Sequence, residues 1–436
     1  MASKRWRSIL AAALLVASVA EFSVRGPVRT MRVLGFNDFL SPYIQAKAWA
    51  QGRDPYSAQS LVSLWPPDNS RPLWVDTDAA RGVLELKRGM PTPYPVSSLV
   101  VLSPFCLLSW SVAVVLWVVI IISAVVLAPF ALISLCGCTA TDVRAQLFLA
   151  AVFALAPLHT GLGTANPAML AIGLTAGTVW AVRSGRDKTA GVLLGIALCL
   201  KPTVAGGLLL YYLIRQWKVA GIAGASFVLI SAAGIVRLVL AGVPWLASYS
   251  ENTRKIFASG SLADFTRADA VRFNLVNAQV LFYNLLKEAS AANLLAEVLG
   301  AALLASWLWL CWRRRDSSGL LDISAIAVVS LIPVYHRFYD AALLIFPLAW
   351  SLLLGIRRST SVLILVAIVP FFAPGPTLLS QLARAGRIPP GITHGWWWDA
   401  IVLPHQMWSL IFLAFLLLYC MSRGWSEESG LLPNRP

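Results

Sequence analysis

Charge is scarce in this sequence. Asp, Glu, Lys and Arg make up 13% of its 436 residues, while 58% are hydrophobic and the mean hydropathy is +0.72. So little charge cannot cover a water-facing globule of this size. Histidine is rarer still, with four residues, and no His, Cys and Glu stand at the spacing of a tight zinc site. The six cysteines (106, 136, 138, 199, 311 and 420) lie in or beside apolar runs and leave both long polar loops without a thiol, so no disulfide framework is read. No glycine-rich phosphate loop follows a strand pattern, and no Gly-x-Ser-x-Gly turn is present. Internal repeats, common in transporters, are missing too, as is any separate soluble domain.

What the chain does have is apolar runs long enough to cross a bilayer, which takes about 20 helical residues. Its net charge of +15 is not gathered into one patch. Basic residues punctuate the apolar runs at Lys4-Arg5-Arg7, Arg183-Arg186-Lys188, Arg215-Lys218, Arg313-Arg314-Arg315 and Arg357-Arg358. That is the pattern of the positive-inside rule, and it argues against nucleic acid as a partner. The expected fold is an all-α multi-pass membrane protein, one polytopic domain over 1–436. It divides into a first span at 8–24, an outer loop at 25–93 with a juxtamembrane helix, core helices at 94–241, a second outer loop at 242–293, C-terminal helices at 294–421 and a cytoplasmic tail at 422–436. The first span resembles a signal peptide, but no small-residue cleavage site precedes Glu21-Phe22, and it is read as uncleaved with its N-terminus in the cytoplasm. Trp396-Trp397-Trp398 suits an interfacial anchor.

Between Ala145 and Trp217 the expected spans are short: Leu147–Leu158, Pro167–Val182, Ala190–Leu200 and Val204–Ile214. At 1.5 Å per residue each gives roughly 16 to 24 Å of helix, less than the hydrocarbon core. Their junctions carry His159, the segment Gly163-Thr164-Ala165-Asn166, and Lys201-Pro202. Broken backbone at membrane depth is tolerated where it lines a cavity or is buried in protein, so these junctions predict a water-filled cleft. Placing the basic clusters in the cytoplasm puts the junctions on the outer side.

The stretch from Gly35 to Tyr56 follows the first span and brings out the first carboxylate, Asp38. Phe39, Tyr43, Ala46 and Trp49 or Ala50 recur every three or four positions, with Gln45, Lys47 and Gln51 between them. This spacing predicts a helix lying at the membrane surface, with Asp38 at its N-terminal end. Five polar features therefore fall on one side: Asp38, Asn166 with His159, Lys201, the Asn274/Asn277/Gln279 cluster, and His336 with Arg337 and Asp340. Intramembrane ionisable groups are functional candidates, yet each has a plainer reading. Asp38 could cap its helix or pair with a loop arginine, Lys201 could snorkel to water, Asn166 could end a helix, and His336 and Asp340 could form a structural pair one turn apart. Asp187, Asp316 and Asp322 stand among basic residues and read as solvated loop charge.

Six stretches together resemble glycosyltransferase family 87, membrane enzymes of the GT-C fold that use polyprenyl-phosphate sugars. They are NDFLSPYIQAKAWAQGRDPY (37–56), TPYPVSSLVVLSPFCLL (92–108), GTANPAMLAIGL (163–174), RDKTAGVLLGIALCLKPTVAGGLLLYYLIRQWK (186–218), NLVNAQVLF (274–282) and HRFYDAALLIFPLAW (336–350). One departure is Thr164, where relatives often carry Gln. The resemblance implies a GT-C-type bundle of about 12 transmembrane helices, with a long first outer loop carrying juxtamembrane helices, in a bacterial cytoplasmic membrane with its active site facing outward. It implies Asp38 as catalytic general base, Lys201, His336 and Arg337 on the donor phosphate, and Asn166, Asn277, Gln279, Tyr43 and Asp340 on the sugar or acceptor. The implied partners are a polyprenyl-phosphate sugar, mannose before arabinofuranose, a glycan or glycolipid acceptor, and membrane lipids. No cofactor is implied, and metal dependence is left open. The rival readings are a transporter or flippase of lipid-linked sugars and a non-catalytic membrane subunit.

Overall fold

The structure, a computed structural model, describes residues 2–32, 37–65, 93–269, 272–314, 319–354 and 358–423. Gly35 and Phe36, the part of the first loop at 66–92 that includes Trp74, Arg315, Asp316, Arg357 and the tail from 424 lie outside the described residues.

The described residues are helical throughout, with a single isolated bridge between Leu275 and Arg337. Helix α1 (Ala2–Ser23) continues through a π-helical turn at Val24–Val28 into a last turn at Arg29–Arg32. After it come α2 (Leu40–Ala50), α3 (Val96–Leu102) with a 3-10 extension to Leu107, and α4 (Trp110–Leu135). The short central helices are α5 (Val143–Ala154), α6 (Ala156–Gly163), α7 (Ala168–Arg183), α8 (Asp187–Leu200) and α9 (Pro202–Arg215). They are followed by α10 (Trp217–Leu240), α11 (Trp245–Ile256), α12 (Ala278–Leu286), α13 (Ala289–Arg313) and α14 (Leu320–Val329). A 3-10 segment, Phe338–Leu344, leads into α15 (Ile345–Leu353), and α16 (Arg358–Ile368), α17 (Gly375–Arg384) and α18 (His405–Ser422) complete the chain.

Five of these helices are long and apolar enough to cross a membrane: Arg5–Arg32, α4, α10, α13 and α18. The count reaches seven if the pair α5 and α6, bent by 50°, and the pair Ser359–Phe371 and α17, bent by 42°, each form one span. About twelve were expected. The count by length leaves out apolar helices of the described residues too short to cross alone, among them Val96–Leu107, α7, α14 and Phe338–Leu353. Apolar side chains of α10 and α13 such as Leu229, Val239, Leu294 and Val298 remain exposed, as lipid-facing surfaces do.

The breaks follow from sequence. Pro202 cannot supply an N–H to continue α8, so Lys201 swings to φ −152° and ψ 87°, and Pro202 starts α9, where its missing N–H does no harm. The freed carbonyls at the end of α8 are buried and need donors. Ser98 supplies one, its hydroxyl 2.6 Å from Cys199 O, and Ser97 stands 3.3 Å from the same oxygen. Helix α8 lies close against α10 because Gly191 and Gly195 carry no side chain; a Cβ on either would come within 2.6 Å of Ile222 or Ser226.

Helix α2 is packed into the protein on more than one face. Leu40, Tyr43, Ile44, Ala46 and Ala48 are buried, and so is Gln45, one of the polar residues spaced between the apolar ones. An aromatic cluster holds it in place: Phe39 stacks on Trp117 with ring centres 4.6 Å apart and contacts Tyr43, Phe105 and Trp110. The turn Asp54-Pro55-Tyr56 then ties the two polar loops together. Ser248 of α11 donates to Asp54 at 2.6 Å and Asn252 to the Tyr56 carbonyl at 2.7 Å.

Asp322 also departs from its expected place. It is fully buried at the start of α14, 2.6 Å from Arg215 and 3.8 Å from Arg314, and its carbonyl takes the Trp307 indole N–H. A carboxylate between two arginines on separate helices is a structural clasp, not solvated loop charge. Trp398 is buried, whereas Trp396 is exposed, so only part of the aromatic triplet faces outward.

Candidate active site

Asp38 sits in the turn before α2, where the plainer reading would make it a cap. No side chain caps α2; in the turn ahead of it the Asn37 side-chain oxygen accepts the Phe39 N–H at 3.0 Å. Asp38 is half-buried and forms no ion pair with any described cation. Its N–H donates to Thr164 O at 2.7 Å, and its Oδ2 accepts from the Asn166 amide at 2.8 Å.

The turn between α6 and α7 is built to present Asn166. Ala165 adopts φ +53°, a left-handed conformation uncommon for a residue with a Cβ. Its N–H bonds Leu162 O at 2.8 Å, the Asn166 N–H bonds Gly161 O at 2.9 Å, and the Trp117 indole donates to Ala165 O at 2.9 Å. Asn166 then uses both ends of its amide: Oδ1 takes the Ala168 N–H at 2.9 Å at the start of α7, and Nδ2 holds Asp38. The plainer reading of Asn166 as a helix-end residue is correct in part, and the same side chain also fixes the carboxylate.

Asp38, Asn166 and Arg337 line one cavity of about 990 Å³, together with Arg25, Arg29, Tyr94, Thr164, Asn274, Tyr335 and Tyr339. Its described charged lining is three arginines against one carboxylate, an excess that favours an anionic ligand. Arg337 is anchored through Nε to the Tyr335 hydroxyl at 2.9 Å and through its other guanidinium nitrogen to Leu262 O at 3.1 Å. Burial disfavours its charge, but Tyr335, Tyr339 and Asp38 outweigh burial and hold it above the ordinary guanidinium range. Desolvation, with Tyr339 and Asp38 nearby, pushes the Tyr94 phenol well above its usual range, so it faces the cavity as a donor.

Lys201, His336 and Asp340 come together, but behind this wall. Lys201 Nζ lies 2.8 Å from Asp340 Oδ1 and 4.5 Å from the centre of the Tyr339 ring. His336 Nδ1 and the Arg337 N–H each lie 3.1 Å from Asp340 Oδ2, while His336 Nε2 meets Ser330 O at 3.1 Å. His336 and Asp340 are fully buried. Neither is among the residues that line the cavity. Their geometry orients Arg337 and Tyr339, which do line it. Lys201 is occupied by a carboxylate in the place where a phosphate was expected.

Three further candidates have partners away from the cavity. Tyr43 is buried in the aromatic cluster and donates to Leu108 O at 2.9 Å. Asn277 caps α12 by accepting the Val280 N–H and donates to Gln279 at 3.0 Å, and Gln279 donates to Asn293 at 2.6 Å. None of the three lines the cavity. His159 is likewise buried, 2.6 Å from Phe153 O and edge-on to Phe22. Of the polar cluster around 274–279 only Asn274 reaches the cavity, where it accepts from Thr377.

Arg25, Arg29, Tyr94 and Tyr335 were not singled out from sequence. Arg25 and Arg29 stand four apart, which places them on one helical face, but spacing does not say what that face meets. Among the described residues no group of three or more His, Cys, Asp or Glu side chains is placed to hold a metal ion.

A family model, glycosyltransferase family 87, matches residues 92–334, more than half of the chain. Asn166 and Lys201 fall inside that stretch, with Asp38 before it and Arg337 after it. No curated protein and no solved structure matches the chain.

Proposed function

The chain belongs to glycosyltransferase family 87, and from that premise we propose that it transfers a sugar, mannose by preference, from a polyprenyl-phosphate donor to a hydroxyl of a glycan or glycolipid acceptor. In this reading the enzyme works from the outer face of a bacterial cytoplasmic membrane, and its route is a single displacement with inversion. The observation that carries the proposal is Asp38: a carboxylate without a partner cation among the described residues, held by Asn166 on the wall of a cavity whose other described charges are arginines.

The chemistry needs few parts. Asp38 takes the proton of the acceptor hydroxyl as that oxygen forms a bond to the anomeric carbon. The bond between the anomeric carbon and the phosphate oxygen breaks, and the lipid phosphate leaves with the electron pair. A phosphate leaves readily, so one base suffices and no strong general acid is required. Charge gathered on the phosphate is stabilised by fixed cations that line the cavity. Arg337 is suited to this, since its two anchors fix its direction before substrate arrives. Tyr94, Tyr335 and Tyr339 offer hydroxyls to the sugar.

The test is a reconstituted assay with polyprenyl-phosphate mannose and candidate acceptors, comparing the parent with Asp38→Asn. General-base contributions run to about 10²–10⁴-fold, and the variant is expected to lose turnover on that scale while keeping its melting temperature. Turnover within a few-fold of the parent removes Asp38 from the base role. A flippase would move lipid-linked sugar across vesicles without forming any glycoside, which the same preparation reads.

A further inference from the structure

Arg25 and Arg29 lie on either side of the point where the first helix changes character. Arg25 is within the π-helical turn Val24–Val28, Arg29 just after it, and both line the cavity that holds Asp38. Pro27 lacks the N–H that the α-helical ladder would use, and local widening of the turn redirects the residues around it. Gly26 lets the helix settle against α6, where an added Cβ would stand 3.3 Å from Leu162. Thr30, fully buried, completes the seat with its hydroxyl 2.6 Å from Leu162 O and 2.9 Å from Gly26 O. As a result Arg29 lies against Gly163, its Cδ 3.1 Å from where a Cβ there would stand. The next residue, Thr164, is the one whose carbonyl receives the Asp38 N–H.

The bonding of this pair leaves one charge over. Arg25 is ion-paired with Glu21 at 2.6 Å. Arg29 is exposed to the cavity; its backbone N–H bonds Gly26 O, but its guanidinium has no ion pair or hydrogen bond among the described residues. An arginine snorkelling from the end of a span accounts for exposure alone. It does not account for a helix widened and seated so that two arginines line the same cavity as Arg337.

We propose that Arg29, with Arg25 beside it, seats the phosphate of the lipid-borne substrate. The guanidinium offers paired donors that match two phosphate oxygens, and its fixed charge faces the group that gains negative charge as the glycosyl bond breaks. This rests on the glycosyltransferase reading and adds to it the element that holds the donor: the end of the first helix, not the Lys201 break. Asp38, which lines the same cavity and is held by Thr164 next to Gly163, then takes the acceptor proton.

The test measures binding without turnover, on the full chain in phosphatidylcholine nanodiscs. The probes are farnesyl phosphate, farnesol and inorganic phosphate, and the proteins are the parent, Arg29→Gln, Arg29→Lys and Arg25→Gln. Farnesyl phosphate is expected to bind the parent, with affinity reduced about 10- to 100-fold in Arg29→Gln, the range of a lost charge-assisted pair. Arg29→Lys should recover part of it, Arg25→Gln should lose less, and farnesol should bind weakly to all four. Equal farnesyl phosphate affinity in the parent and Arg29→Gln, in a variant whose melting temperature matches the parent, overturns the proposal. Farnesol binding as well as its phosphate does the same, and inorganic phosphate binding as tightly as farnesyl phosphate overturns the lipid source. Arg29-dependent binding in a protein that never transfers sugar sinks the enzyme reading and leaves the phosphate seat standing. Transfer that proceeds in Arg29→Gln with the parent's donor KM does the reverse.

Discussion

Asn166 donates its side-chain amide to Asp38 at 2.8 Å across 128 positions of sequence, and its carbonyl oxygen is meanwhile committed to the Ala168 N–H. One side chain thus starts a helix and aims a carboxylate. The amide cannot rotate to serve one partner without dropping the other, so the rigidity of α7 is passed directly to Asp38.

That double use can be separated by substitution. Asn166→Ala removes both bonds and should lower stability by about 0.5–2 kcal/mol, the usual range for losing a helix cap, and turnover with it. Asn166→Asp keeps the oxygen that caps α7 but turns a second carboxylate toward Asp38. Its melting temperature should fall less than that of the alanine variant while its turnover falls at least as far. Equal behaviour of the two variants in melting and in kcat would show that the Asp38 contact has no separate role.

The ion pair between Lys201 and Asp340, 2.8 Å apart with the carboxylate fully buried, is expected to act on stability before it acts on binding. Removing one partner leaves a buried charge unmatched, at a cost of about 3–5 kcal/mol. Lys201→Met and Asp340→Asn should each lower the denaturation midpoint strongly, and the double variant should recover much of the loss. A double-mutant cycle in detergent checks this, and additive losses would rule the pairing out.

Ala165 holds φ +53° with its side chain fully buried. Glycine adopts that conformation without strain, so Ala165→Gly should be neutral or stabilising by up to about 1 kcal/mol. Ala165→Val should lose more than about 1 kcal/mol through both strain and overpacking, and should reduce turnover by displacing Asn166. Thermal melting and single-turnover rates distinguish the two.

Asp322 is the counter-charge for Arg215 and Arg314 at the far end of α9 and α13. Asp322→Ala should destabilise by about 3–5 kcal/mol, with donor KM unchanged in the protein that remains folded. A changed KM at intact stability would place this cluster in contact with substrate.

How much of this was legible depends on what each residue's neighbours in sequence could say. Asp38 stood out as the first acid after an apolar run, and Asn166 as an amide in a polar gap before proline; both signals are local and both residues line the cavity. Lys201 and Asp340 were equally conspicuous as ionisable groups at helix breaks, but nothing in spacing says that two such groups will neutralise each other across 139 positions. Asn277 and Gln279 looked like a sugar-binding pair and are consumed in starting α12. Arg25 and Arg29 were passed over because basic residues at the end of a span ordinarily report topology alone. The span count is subject to the same locality. Hydropathy finds apolar segments, but whether two short ones stack into a single crossing is decided by packing against others.

The contacts around Asp38 have a temporal consequence. A ribosome delivers Asp38 first, the turn carrying Asn166 only after α6, and Arg337 more than a hundred and fifty residues later still. Throughout that interval the acid is present without the groups that would make it reactive, and the last wall of the chamber closes only when most of the chain has already been made. A nascent or truncated molecule should therefore be inert by construction, and it arms itself on completion.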